Sequence, residues 1–156
     1  MRILIGGVGN ILRGDDGLGP LIIQRLNKTR LPKNVDALDL GTSGMEVLYY
    51  LQGYDKAILI DSIKRGEKPG TVYHMTFRCH LENLGWSSLQ MTLGAHEIDL
   101  NSVLKEGTRL GMLPPTVVIL GCEPRNVKSF RIGLSREVEA AVPKLLELAV
   151  KEAKED

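Results

Sequence analysis

A chain of 156 residues with 43% hydrophobic side chains is long enough for one domain (residues 1–156) with its own core, and the composition excludes a disordered chain. Twenty basic side chains against nineteen acidic ones give a formal net charge of +1; with no basic block standing out, strong phosphate-driven binding of nucleic acid is excluded. No apolar run approaches the ~20 residues that span a bilayer, and the N-terminus lacks signal-peptide anatomy, so no membrane partner and a cytoplasmic location are expected.

Arg2 to Val8 reads as a buried strand ending in glycines. Gly17 to Leu26 reads as a helix, with Pro20 in the first turn, where a missing N–H costs nothing. Val35 to Leu40 is a second strand, and Gly44 to Leu51 a short helix. Lys56 to Ile60 is a third strand, apolar throughout Ala57-Ile58-Leu59-Ile60, as a central parallel strand should be. After a Pro69-Gly70 turn, Thr71 to Phe77 alternates like a half-exposed strand. Ile98 to Glu106 reads as a helix, Thr116 to Gly121 as another buried strand, and Ser135 to Lys154 as a closing amphipathic helix. Pro143 interrupts that helix at a typical cost of ~3 kcal/mol or more. Either a kink there or a helix starting near it is expected.

Strand–helix alternation implies an α/β fold: a single three-layer domain, its mostly parallel, twisted sheet covered by helices on both faces. The segment from Asp61 to Phe77 is too short for a crossover helix, so the fourth strand should run antiparallel near an edge. Open α/β sheets bind ligands at the carboxyl ends of their strands. Three polar residues fall there: Asp16 after the first strand, Asp61 after the apolar run of the third, and His96 in the loop before the third helix. Two carboxylates and an imidazole suit Ni(II) or Zn(II) better than Mg(II). Taken singly, each has a plainer reading: Asp16 as an acid at a helix N-terminus, Asp61 as a turn residue, His96 as an exposed loop histidine.

Other chemistries fit less well. Gly7-Val8-Gly9 suggests a dinucleotide site, with Asp39 as the ribose-binding acid, but Leu12 occupies the third glycine position and Asp15 and Asp16 would face a pyrophosphate. A tight turn explains the glycines more simply. Cys79 and Cys122 form no Cys-x-x-Cys pair, and nothing local ties Cys122 to His74, His80 or His96. Ser43 lacks a nucleophile elbow.

Ile3-Leu4-Ile5-Gly6-Gly7-Val8-Gly9-Asn10-Ile11-Leu12-Arg13-Gly14-Asp15-Asp16-Gly17-Leu18-Gly19 resembles the opening signature of the maturation endopeptidases of nickel–iron hydrogenases. The resemblance extends through Gly41-Thr42-Ser43-Gly44-Met45-Glu46, Asp61, Pro69-Gly70-Thr71, His96, Gly121-Cys122-Glu123-Pro124 and Ile132-Gly133-Leu134-Ser135, nearly the whole chain. It implies a five-stranded sheet with the fourth strand antiparallel. It also implies an endopeptidase that removes the C-terminal extension of a hydrogenase large-subunit precursor after nickel insertion. Asp16, Asp61 and His96 would be its metal-contacting residues, with nickel supplied by the precursor. Asp16 and Asp61 are the candidate catalytic acids, Asp15 being structural. The backbone N–H groups of Gly41, Thr42 and Ser43 are candidates to hold the substrate tail, although ordinary capping by Thr42 or Ser43 explains that loop as well. A monomer docking transiently on its substrate is expected. Two alternatives stay open: a nickel-binding chaperone without hydrolysis, and a dinucleotide-binding module.

Overall fold

The computed structural model describes residues 1–78 and 100–155. Its elements run β1 (Ile3–Val8), α1 (Leu18–Leu26), β2 (Val35–Gly41), α2 (Val47–Tyr50), β3 (Lys56–Ser62), β4 (Val72–Arg78), α3 (Leu100–Leu110), β5 (Thr116–Cys122) and α4 (Arg136–Glu152). Short 3-10 turns at Gly14–Gly17 and Gly44–Glu46 lead into α1 and α2.

Five strands form one sheet in the order β2-β1-β3-β5-β4. All neighbours are parallel except β4, which pairs antiparallel with β5 at an edge. Side-chain alternation along the central strands builds two cores. Ile3 and Ile5 of β1, Ile58 and Ile60 of β3, and Val118 and Leu120 of β5 meet α1 and α4 on one face. Leu4, Ala57, Leu59, Val117 and Ile119 meet α2 and α3 on the other. The three-layer arrangement expected from the sequence is therefore the observed one.

Helix α1 lies unusually close to the sheet. A Cβ on Gly7 would stand 2.4 Å from the Gly19 carbonyl oxygen, and one on Gly19 would stand 2.3 Å from that of Val8 and 2.6 Å from that of Ile60. Glycine is required at both positions because backbone meets backbone. The first turn of α1 is thereby seated over the ends of β1 and β3.

Several boundaries differ from the sequence reading, α3 for one running to Leu110 rather than ending at Glu106. Strand β3 continues two residues past Ile60, since Asp61 and Ser62 pair with Gly121 and Cys122 of β5. Asp61 is thus held in the ladder and does not sit in a loop. The helix expected from Gly44 resolves into a 3-10 turn followed by a single α-turn. Helix α4 begins seven residues before Pro143 and continues through it. Pro143 and Glu139 are both exposed, so the carbonyl that loses its helical partner faces water. Among the described residues, no helix is long and apolar enough to cross a membrane.

At the end of the sheet opposite these loops, Lys56 opens β3 and is buried. Its ammonium donates to the Glu152 and Glu155 carbonyls at 2.7 and 3.2 Å and pairs with the Glu152 carboxylate at 2.9 Å. It closes the C-terminus of α4, where a cation is favoured by the helix dipole. His74 Nε2 lies 2.7 Å from the second Glu152 oxygen. Burial raises the Glu152 pKa, but the hydrogen bonds and charges of Lys56 and His74 outweigh it and hold the carboxyl below its ordinary value.

A carboxyl lowered in the folded state stabilises the fold above its unfolded pKa, and that contribution disappears as pH falls through the folded one. Glu152→Gln is therefore expected to cost on the order of 3 kcal/mol at pH 7, as for a buried ion pair broken on one side. It is also expected to flatten the loss of stability below about pH 4.5. Urea unfolding from pH 7 to pH 3 checks both; a variant with wild-type slope on the acid side would show that Glu152 plays no part.

Candidate functional site

The site lies at the carboxyl ends of β1, β2, β3 and β5. Asp16 stands in the 3-10 turn after β1, and its carboxylate accepts the Asn10 amide at 2.9 Å, closing the loop that carries Ile11, Leu12 and Arg13. A Cβ on Gly9, whose φ is +132°, would collide with the Asp16 carbonyl oxygen at 1.9 Å. Glycine there lets the loop fold back tightly enough for Asp16 to reach the sheet. The other Asp16 carboxylate oxygen stands 3.4 Å from Ser62 Oγ. Asp61 is the residue before Ser62, half-buried at the end of β3. By alternation it shares the face of Ala57 and Leu59, which carries α3, while Ser62 shares the face of α1. The two candidate acids thus approach the same strand end from the two sides of the sheet.

Asp15 plays a different part. It is 1% exposed, and its carboxylate accepts four hydrogen bonds: from the Arg125 and Asn126 amides at 2.8 and 3.0 Å, and from the Ser135 amide and hydroxyl at 2.6 and 2.9 Å. A buried carboxylate is tolerable when its lone pairs are filled in this way. Asp15 accordingly ties the turn after β1 to both ends of the loop joining β5 to α4, the structural role expected of it.

Gly41 ends β2 and Thr42 and Ser43 follow it, beside the same loop, since the Gly9 amide donates to the Gly41 carbonyl at 2.9 Å. The Gly41 amide is taken by the Asp39 carboxylate at 2.9 Å, and that of Ser43 by the Leu40 carbonyl at 3.3 Å. Ser43 makes no side-chain cap; its hydroxyl donates back to the Leu40 carbonyl. The capping explanation is therefore corrected for Ser43: a nearby carbonyl competed successfully for the hydroxyl.

Two residues not singled out from the sequence belong to this region. Ser62 is the contact between Asp16 and β3. Glu123, 3% exposed, accepts the Arg65 and Gly66 amides at 2.7 and 3.2 Å and the Tyr73 hydroxyl at 2.6 Å. It fixes the loop leaving β3 just beyond Asp61. An acid directly after the wholly apolar run Val117–Cys122 was the available signal. The Cys122 thiol is buried, and burial, with the Asp15 charge adding to it, pushes its pKa up to about 11 against a hydrogen bond from Gly70. Such a thiol is a poor nucleophile. His96, with Cys79 and His80, lies outside the described residues. Among the described residues, no group of three or more His, Cys, Asp or Glu side chains converges as a metal site.

Asp15→Asn is expected to lower stability by about 2–4 kcal/mol, because an amide cannot accept all four bonds and buried donors are left unpaired. Urea unfolding measures this; a loss below about 0.5 kcal/mol, the range of ordinary surface substitutions, would contradict the clamp.

Comparison with known proteins agrees with the fold. A family model described as HycI, hydrogenase maturation protease, matches residues 20–152. A putative hydrogenase maturation protease of Methanocaldococcus jannaschii is 35% identical over 156 residues, covering 97% of this chain and 96% of that protein. The hydrogenase 2 maturation protease of Escherichia coli is 34% identical over 149 residues, covering 94% and 87%. Among solved structures, the hydrogenase-maturating endopeptidase HybD from E. coli superposes with a TM-score of 0.80 at 32% identity, covering 99% of this chain and 94% of that one. A hydrogenase 2 maturation peptidase from a Thaumarchaeota archaeon gives 0.76 at 36% identity, covering 99% of both. The chain belongs to the hydrogenase maturation protease family, and with that family it is a peptidase.

Proposed function

We propose that this protein removes the C-terminal extension of a nickel–iron hydrogenase large-subunit precursor after nickel insertion, and that it recognises the nickel already held by that precursor. The observation carrying this reading is the meeting of Asp16 with the end of β3, one residue from Asp61, in a chain of this family. In this reading Asp16, Asp61 and His96 contact the substrate's nickel. Three side chains leave coordination positions for ligands from the precursor. Nickel beside the scissile carbonyl polarises it and acidifies an attacking water, and one of the two aspartates accepts the proton. The Gly41–Ser43 segment supplies a wall for the substrate tail. The protein acts as a cytoplasmic monomer that docks transiently.

A nickel chaperone would bind the same precursor without cutting it. Incubation with nickel-loaded precursor, followed by mass measurement of the product, separates the two: loss of the tail means protease, and binding at unchanged mass means chaperone. Asp16→Asn is expected to lose at least ~100-fold in cleavage, the lower range for a missing acid–base group, while its unfolding curve stays close to wild type. Nickel-free precursor should remain uncut. Undiminished processing by Asp16→Asn removes Asp16 from the mechanism.

The same reading sets the metal content of the free protein. After brief chelation, elemental analysis should find far less than one metal per chain. Stoichiometric metal surviving chelation would mean that the ion is resident and not carried by the substrate.

A further inference from the structure

The loop from Pro124 to Ser135 joins β5 to α4 and displays an unusual combination of side chains. Phe130 is 85% exposed and Ile132 73%. The same stretch of sequence carries Arg125, Lys128 and Arg131, with Arg136 opening α4; no acid lies between Pro124 and Arg136, although Arg125 pairs with Glu137. Lys128, Arg131 and Arg136 are exposed and enter no ion pair among the described residues. A single exposed apolar side chain needs no explanation. Here a second loop adds to the patch. The Arg131 amide donates to the Leu12 carbonyl at 2.9 Å and the Gly14 amide to the Arg131 carbonyl at 2.7 Å, forming a short parallel bridge between Arg13 and Arg131. Leu12, exposed like its neighbour Ile11, is thereby set level with Phe130.

The display is held in place. Asp15 grips the loop at Arg125, Asn126 and Ser135, so little ordering entropy remains to be lost on binding. It also borders the site, because Asp16 closes the loop that carries Ile11 and Leu12. Holding like charges and apolar side chains together on a chain of net charge +1 has a cost, and a partner of opposite charge would offset it.

We infer that Ile11, Leu12, Phe130 and Ile132, with the exposed Lys128, Arg131 and Arg136 of the same loop and the helix start that follows it, form the docking surface for the folded body of the precursor. The complementary face on that partner carries apolar side chains flanked by carboxylates, next to the tail that is cut. This inference rests on the proposed endopeptidase reading. It adds that recognition extends beyond the scissile segment to a preformed basic and apolar patch. Phe130 and Ile132 anchor by burial, and the cations steer approach.

Two measurements test it, using the full chain and the full-length, nickel-loaded hydrogenase large-subunit precursor of the same organism. In cleavage kinetics, a Phe130→Ser, Ile132→Ser double variant should raise KM at least tenfold with kcat within twofold of wild type. Arg131→Glu should raise KM and weaken its dependence on ionic strength. In direct binding, the same substitutions placed in an Asp16→Asn background should weaken association at least tenfold. Unchanged KM and unchanged binding overturn the inference. So does normal precursor binding by a double variant whose only defect is loss of self-association in sedimentation, which would make the patch a contact between copies of this chain. If wild type binds precursor through the patch but never cuts it, the docking surface stands and the endopeptidase reading fails. If neither binding nor cleavage occurs, both fail.

Discussion

The carboxylate of Asp15 is the interaction on which the working end of the molecule depends. Removing a charged carboxylate from water costs several kcal/mol, and only a nearly complete set of donors can offset it. Those donors come from Arg125, Asn126 and Ser135, all more than a hundred residues away in sequence. The turn after β1 cannot move without breaking them, and Asp16 is the next residue in that turn. Two adjacent aspartates therefore divide their tasks by burial: the inner one anchors, and the outer one, only half-buried, is presented at the strand ends.

A steric constraint complements this electrostatic one. The contact of Gly7 with Gly19 lets α1 start almost on top of the sheet. With an ordinary side chain at either position the helix would stand off, and the turn holding Asp16 would rise with it, away from Ser62 and Asp61. At the other end of the same strands, Lys56 closes α4 with a charge that is fully engaged. One end of the sheet thus spends its polar groups on one another, while the carboxyl end keeps Asp16 and Asp61 at a single strand end. This is the division expected of parallel α/β sheets, in which the amino ends hold the fold together and the carboxyl ends carry chemistry.

Much of this was legible in the sequence. Apolar runs such as Ala57–Ile60 and Val117–Leu120 identify buried parallel strands because both of their faces are covered, and the short stretch between Asp61 and Phe77 forces an antiparallel neighbour. Asp16 and Asp61 could be picked out because strand ends are where such sheets bind. What escaped were features decided by tertiary contacts. Asp61 and Ser62 look like loop residues until β5 is seen pairing with them. Ser43 has the composition of a helix cap, yet the local Leu40 carbonyl takes its hydroxyl. Pro143 reads as a break, but its position on the solvent face of α4 makes the lost hydrogen bond affordable. The partners of Asp15 and Glu123 lie in distant segments, and no local pattern announces them.

The basic and apolar patch escaped for a related reason. Four cations spread over twelve residues form no block, and Phe130 and Ile132 separated by an arginine look like ordinary strand alternation. Only their exposure, and the bridge that brings Leu12 beside them, shows that they face outward together. If the proposed site is the proteolytic one, their position has an energetic consequence. Binding energy gathered at a surface beside the reacting atoms would then hold the scissile bond against the proposed acids, so that contact area far larger than the site itself contributes to the rate. A large folded substrate supplies that area, whereas a short peptide does not. On the proposed reading, selectivity for one protein among many peptide bonds would follow from where the patch sits, on the loop that Asp15 clamps and against the loop that Asp16 closes.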